Sequence, residues 1–410
     1  MMGRLRTHGA APAAALLLAL SCAPALAAKS DVLSGIDVLE EHGFRELQGK
    51  RVGLITNQTG VDRKGRPSAR ILANASGVRL SALFSPEHGF TGTSDENEIA
   101  SGTYALPDGG SIPLYSLYGA TKAPTPEMLR GLDALVFDIQ DIGTRFYTYS
   151  ATMGMAMEAA AKAGMEFIVL DRPDPVNGEI VEGPILDDDI RHLTAYFPVP
   201  VRHGMTMGEL ARLHNVLGRV GAQLQVVALK GWSRGMWADR TGLPWVRPSP
   251  NMPDLDAAAL YPGIGCFEAS NVSVGRGTKL PFRWIGAPWL DPKPVLKRLK
   301  AARLPGIDFS AHSFTPAKSV HQGKKCRGIR IRLKDRDAAR PLAVFAHLVT
   351  ALRDLYPKQF DIRDAEMARM TGTRRFVELY RSGAGPEKLV ELFDKDSSRF
   401  KTERAPFLLY

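Results

Sequence analysis

The stretch DALVFDIQDIGTRFYTYSATMGMAMEAAAKAGMEFIVLD, residues 133–171, joins two apolar runs through a polar loop and a long Ala- and Met-rich segment. DALVFDI at 133–139 and EFIVLD at 166–171 are nearly continuous in hydrophobic residues, as strands covered on both faces must be, and each holds a polar residue at its end. Between them SATMGMAMEAAAKAG, 150–164, has the composition of a helix and stops at Gly164. Strand, helix, strand is a parallel crossover unit, so this stretch predicts a parallel sheet with helices on its faces.

The same rhythm extends outward. RVGLITN at 51–57 and LSALFS at 80–85 read as two more buried strands, with helices over SARILANAS, 68–76, and TPEMLRGL, 125–132. GTYALPDGGSIPLYSLYG, 102–119, alternates around Asp108-Gly109-Gly110 and reads as a hairpin inserted after the second strand. TMGELARLHNVLG, 206–218, opens with Thr206 and carries Glu209 three residues later, a capping box, and QLQVVALKGW, 223–232, follows as a strand. The pattern is that of an α/β, Rossmann-like N-terminal domain. Residues 240–290 are rich in Pro, Gly and aromatics and read as a long structured crossing. Helices at 292–302, 341–355 and 386–394 and a strand at 326–333 then suggest a smaller α+β C-terminal domain, giving segments 1–27, 28–250 and 251–410.

Arg4 and Arg6 precede a short apolar stretch that ends in Ala25-Leu26-Ala27, the form of a cleaved export signal. Pro12 and Pro24 confine its apolar centre to less than the roughly 20 residues that span a bilayer. Leu20 and Ala19 fit poorly before Cys22, so lipidation there is the weaker reading. The expectation is an exported, periplasmic or secreted protein without stable membrane insertion after cleavage. Cys266 and Cys326 then remain, and export permits but does not require a bridge between them. Of 53 basic residues, loss of Arg4 and Arg6 leaves 51 against 43 acidic. Without a dense Lys/Arg block, that balance suits anionic polymers such as wall glycans rather than a nucleic-acid groove.

Ligands bind outside the carboxyl ends of parallel strands. Asn57, Glu87, Asp138 with Asp141, and Asp171 with Arg172 all fall just past such ends, so the sequence predicts that they share one rim. Glu87, hemmed by Phe84, Pro86 and Phe90, would be partly desolvated and suited to donate a proton, or would serve only as a turn cap beside His88. In DIQDIGTRFYTYS, 138–150, Asp138, Asp141, Arg145, Tyr147 and Tyr149 either aim into the crevice or brace the loop through an Asp–Arg pair. Pro173 and Pro175 stiffen a loop bearing Asp171, Arg172 and Asn177, and His203 precedes the capped helix. Asn251, Glu268, Asn271, Arg276 and Lys279 lie in the 249–282 segment, where Gly275 and Gly277 set the backbone of Arg276. Gly-x-Ser-x-Gly, His-Glu-x-x-His and Cys-x-x-Cys are absent, and the first strand leads into NQTGVDRKG rather than a dinucleotide fingerprint. No cofactor is indicated; a metal on His88, Asp95 and Asp138 stays open.

GLITNQTG, SPEHGF, DIQDIGTRFYTY, DRPDPVNG with VEGP, RHGMTMGELA, SPNMP, YPGIGCFEASNVSVGRGTKLPF and IGAPW occur in order over about residues 35–290. In this the chain resembles the NamZ-like exo-β-N-acetylmuramidases, departing from their pattern at Asp174, where Asn is usual. The resemblance implies a Rossmann-like domain, a smaller C-terminal domain and a cleft between them. It also implies release of terminal non-reducing N-acetylmuramic acid from peptidoglycan fragments in wall turnover, with the catalytic Glu falling on Glu87 and an implicated Tyr on Tyr147. Under that reading Glu87 is the general acid, Tyr147 a nucleophile or stabiliser, and Arg145, Arg172 or Arg276 a clamp for the lactyl carboxylate. Two other readings stay open: a non-catalytic wall-glycan binder using the same cleft, and a metal-dependent hydrolase.

Overall fold

The run around Val136 becomes a strand inside a seven-stranded sheet in the computed structural model, which describes Gly3, residues 32–96 and residues 98–410. The sheet comprises β1 (Arg51–Thr56), β2 (Arg79–Ser85), β3 (Gly102–Ala105), β4 (Ser111–Ser116), β5 (Ala134–Asp138), β6 (Glu166–Leu170) and β7 (Gln223–Val227), in the order β3-β4-β2-β1-β5-β6-β7. All neighbours are parallel except β3 and β4, the inserted hairpin, whose second strand joins β2 in parallel. Strands are added on one side of β1 and then on the other, so the order reverses between β1 and β5, where such folds open a crevice. The segment expected to carry an export signal lies outside the described residues.

Alternation along β5 explains both faces of the sheet. Val136 points into a core with Leu54, Ile168, Leu72 and Leu39, under α1 (Gly35–Glu41) and α2 (Ser68–Ala73). Leu135 and Phe137 point the other way, into a larger core shared with Met153 and Met157 of α4 (Thr148–Lys162) and Leu210 of α5 (Met207–Leu217). The helix α3 (Pro126–Leu129) is a single turn, shorter than its sequence suggests. The capping box forms as expected, Thr206 accepting from Glu209 N and Glu209 from Thr206 N.

That larger core runs without a break into the C-terminal half, through Phe267, Phe345 and Leu348. Here β8 (Trp284–Ala287), β9 (Ile307–Phe314) and β10 (Cys326–Leu333) form an antiparallel sheet in the order β8-β10-β9. Around it lie α6 (Leu255–Ile264), α7 (Pro292–Ala302), α8 (Pro341–Leu355), α9 (Asp364–Thr371), α10 (Arg374–Arg381) and α11 (Pro386–Glu403). The crossing expected over 240–290 therefore contains a helix, a 3-10 turn (Gly265–Ala269) and a strand. Helix α6 gives no amphipathic signal because Ala257 to Ile264 are buried all round, and it carries Pro262 near its end. The last helix runs nine residues past the expected Asp394 to Glu403. Cys266 and Cys326 are separate buried thiols.

Candidate active site

Glu87 follows β2 in a tight turn where His88 takes a left-handed backbone conformation, φ 69°. The turn delivers the Glu87 carboxylate to a cleft of about 330 Å³ between the two halves of the chain. Tyr147 caps α4, and the first residue of that helix, Thr148, donates its hydroxyl to Glu87 Oε2 at 2.5 Å. The Tyr118 hydroxyl, just beyond β4, faces Glu87. From the C-terminal half come Glu268 and Arg276, paired Nε to Oε1 at 2.5 Å, with the guanidinium 5.4 Å above the Phe282 ring. Gly275 and Gly277, φ 84° and 72°, hold Arg276 in place; a Cβ at Gly277 would come within 2.8 Å of Lys318 N. Lys318 in turn pairs with Asp95 at 2.5 Å, and His88 Nδ1 lies 2.6 Å from Ser94 O, so the two halves meet across the Glu87 turn.

The Tyr147 ring stands edge-on to Tyr149 and Tyr261, at 5.0 and 5.9 Å. Its hydroxyl, near Ser249 and Tyr149, has no well-aligned hydrogen bond. Burial, helped by the Asp141 and Glu87 carboxylates, pushes its ionisation far above that of free tyrosine. Tyr118 is raised in the same way, by burial and by Glu87. Both phenols are therefore neutral donors near neutral pH, which disfavours the nucleophile reading of Tyr147 and favours the stabiliser.

The structure brings together Glu87, His88, Tyr147, Glu268 and Arg276; the other nominated residues are turned to structural work. Asp138 is fully buried in a two-pronged pair with Arg172, at 2.6 and 2.9 Å, and also accepts from Ser68, while Arg172 reaches Val61 O. Asp171 accepts from Arg172 N, Thr206 Oγ1, Gly208 N and Tyr410 OH, with burial pushing it up to about 6. Asp141 accepts from Gly143 N beside Asp174, and burial pushes the two up to about 7 and about 6. The Arg145 guanidinium is sunk among the carbonyls of Pro184, Val199 and Met370, and burial lowers it to about 10. Asn57 accepts from Thr59, Asn177 bonds Glu179 N and Gly235 O, and Asn251 receives Gly277 N. Asn271 ties its loop to Gln359 and Asp361. His203 accepts from Met205 N, and burial with Arg404 and Arg145 nearby lowers it to about 3. Arg145 and Arg172 thus drop out as carboxylate clamps, because their forks are already filled. The His88, Asp95 and Asp138 trio does not assemble either, since Asp138 belongs to Arg172; among the described residues no three such side chains are grouped as a metal ion would need.

Several cleft residues carry no sequence signal of their own. Thr148 and Tyr118 were within stretches already singled out, but nothing in their spacing points at Glu87. Ser249 opens the SPNMP stretch, while His192, Thr194, Glu366 and Arg369 come from two further segments that only folding assembles.

Residues 52–256 match the N-terminal part, and residues 259–410 the C-terminal part, of the family described as exo-beta-N-acetylmuramidase NamZ. The chain is 42% identical over 385 residues to the peptidoglycan beta-N-acetylmuramidase NamZ of Bacillus subtilis, covering 94% of this chain and 92% of that one. Two solved DUF1343 family proteins of Bacteroides fragilis share the fold. BF0371 has a TM-score of 0.86 at 36% identity, over 93% of this chain and 100% of its own. BF0379 has a TM-score of 0.74 at 30% identity, over 93% and 99%.

Proposed function

The chain belongs to the NamZ family of exo-β-N-acetylmuramidases, and from that premise we propose that Glu87 is the general acid with which it splits the glycosidic bond of a terminal, non-reducing N-acetylmuramic acid. It is a glycosidase acting on peptidoglycan-derived fragments. The observation that carries the assignment of Glu87 is its position in the cleft, bonded to Thr148, beside Tyr118 and facing the Glu268–Arg276 pair. Protonated Glu87 gives its proton to the leaving glycosidic oxygen as the bond to the anomeric carbon breaks; water adds to that carbon and its released proton passes to a cleft carboxylate, which restores the acid for the next turnover. The neutral Tyr147 hydroxyl, lacking a settled partner, offers its oxygen lone pairs to the positive charge that develops on the sugar ring. Glu268, held by Arg276, and Glu366 are the further carboxylates of the cleft.

The Arg4/Arg6 stretch ending at Ala27 supports export, and an exported muramidase serves wall turnover and recycling. Incubation of the purified protein with a muramic-acid-terminated disaccharide, with and without chelator, tests the reading. Release of N-acetylmuramic acid by wild type, unaffected by chelator and lost in folded Glu87→Gln, is expected. A folded Glu87→Gln variant with near-normal turnover would remove Glu87 from the role.

A further inference from the structure

With Arg145 and Arg172 buried on other partners and Arg276 committed to Glu268, the cleft needs another group to receive an anion. Arg369, on α9, lines the same cleft, and no ion pair of its side chain appears among the described residues. Its main chain is fixed: Arg145 donates to Met370 O at 2.9 Å, and Asp187 N to Gly372 O at 2.8 Å. Gly372 stands at φ 93°, and a Cβ there would come within 2.5 Å of the Arg145 guanidinium, so the end of α9 is seated directly on that group.

The neighbouring loop carries His192. Thr194 N donates to His192 Nδ1 at 3.2 Å, which leaves the ring proton on Nε2 as a donor. His192 is held below its ordinary value by burial and by two cations, Arg369 and Lys122. Lys122 sits with its ammonium 5.0 Å from the centre of the Tyr118 ring, and Tyr118 in turn touches Glu87. The cleft thus holds a guanidinium, an ammonium at its edge and a neutral imidazole donor close to one another, with Glu366 three residues before Arg369 on α9 and itself receiving Arg363 Nε.

We propose that Arg369, flanked by Lys122 and the His192 ring, receives the lactyl carboxylate of the muramic acid and so distinguishes that sugar from its analogue without the lactyl ether. This rests on the function proposed above. A guanidinium matches a carboxylate with two parallel hydrogen bonds, which a lysine cannot reproduce. The contact depends on charge, so a substrate whose lactyl carboxyl is converted to an amide gains little from it.

The experiment compares wild type, Arg369→Ala, Arg369→Gln and Arg369→Lys on an aryl β-N-acetylmuraminide and on its lactyl amide, with melting temperatures to identify folded variants. Arg369→Ala and Arg369→Gln are expected to raise KM for the free acid at least tenfold, leave kcat within about threefold, and leave the amide's KM unmoved; Arg369→Lys should recover part of the loss. Equal changes for acid and amide, or none for either, would overturn the assignment. If wild type cleaves neither substrate, the proposed function fails while the site is still read by calorimetry. Wild type should then bind N-acetylmuramic acid at least tenfold more tightly than N-acetylglucosamine, a preference lost in Arg369→Ala. Equal affinities in wild type would overturn the site itself.

Discussion

Thr148 donates its hydroxyl to Glu87 Oε2 at 2.5 Å, and it does so from the first position of α4, beside the helix cap Tyr147. One helix start therefore fixes the proposed acid and presents the proposed stabiliser. A hydrogen bond to an ionisable group in such a site contributes about 1.5–3 kcal/mol. Thr148→Val should lower kcat by roughly ten- to a hundredfold with little change in KM, and Thr148→Ser, which keeps the hydroxyl, should stay near wild type. Steady-state kinetics decide it, and a fully active Thr148→Val would mean that Glu87 is positioned without Thr148.

Tyr147 is buried and its phenol is kept neutral by that burial and by nearby carboxylates. Tyr147→Phe removes a hydroxyl with no well-aligned hydrogen bond, so folding stability should move by less than about 1 kcal/mol while kcat falls on the order of 10²–10³. Intact-mass measurement during turnover should find no glycosyl adduct on the protein. A sugar trapped on Tyr147 would restore the nucleophile reading.

The Asp138–Arg172 pair is buried, with side-chain exposures of 0% and 5%. Removing one partner leaves the other charge stranded in the sheet, so Arg172→Leu should cost about 3–5 kcal/mol. The expected result is a melting temperature lowered by several degrees with KM unchanged in the protein that remains folded. A normal melting curve with a raised KM would return Arg172 to the substrate site.

Asp141 is pushed up to about 7 by burial, with Asp174 adding repulsion, against an ordinary value of 3.8. Between those values the folded protein holds this proton and the unfolded chain does not, so stability from this group is greatest in acid and is lost as pH rises from about 4 to about 7. Asp141→Asn should therefore be more stable than wild type at pH 8, by on the order of 3–4 kcal/mol, with the difference closing toward pH 4. Denaturation curves across that range test it; parallel curves for the two proteins would show that Asp141 does not titrate in this window.

The apolar runs around Val52, Leu83, Val136 and Ile168 were enough to read the parallel sheet, because a strand covered on both faces leaves no polar alternation to confuse it. Chain order alone also placed Glu87 at a strand's carboxyl end, and the ordered motifs fixed the family. Which rim residues line the cleft was decided only by folding. Asp171 finds Thr206 and Tyr410, 35 and 239 residues away, and Asp138 finds Arg172 at 34, so both carboxylates turn inward to satisfy buried partners that local sequence does not announce. Helix α6 stayed hidden for a related reason: buried on every side and carrying Pro262, it has no periodicity to read. The cleft itself, with Thr148, Tyr118 and Arg369 converging on Glu87 and Tyr147, exists only where the larger core joins the two halves of the chain.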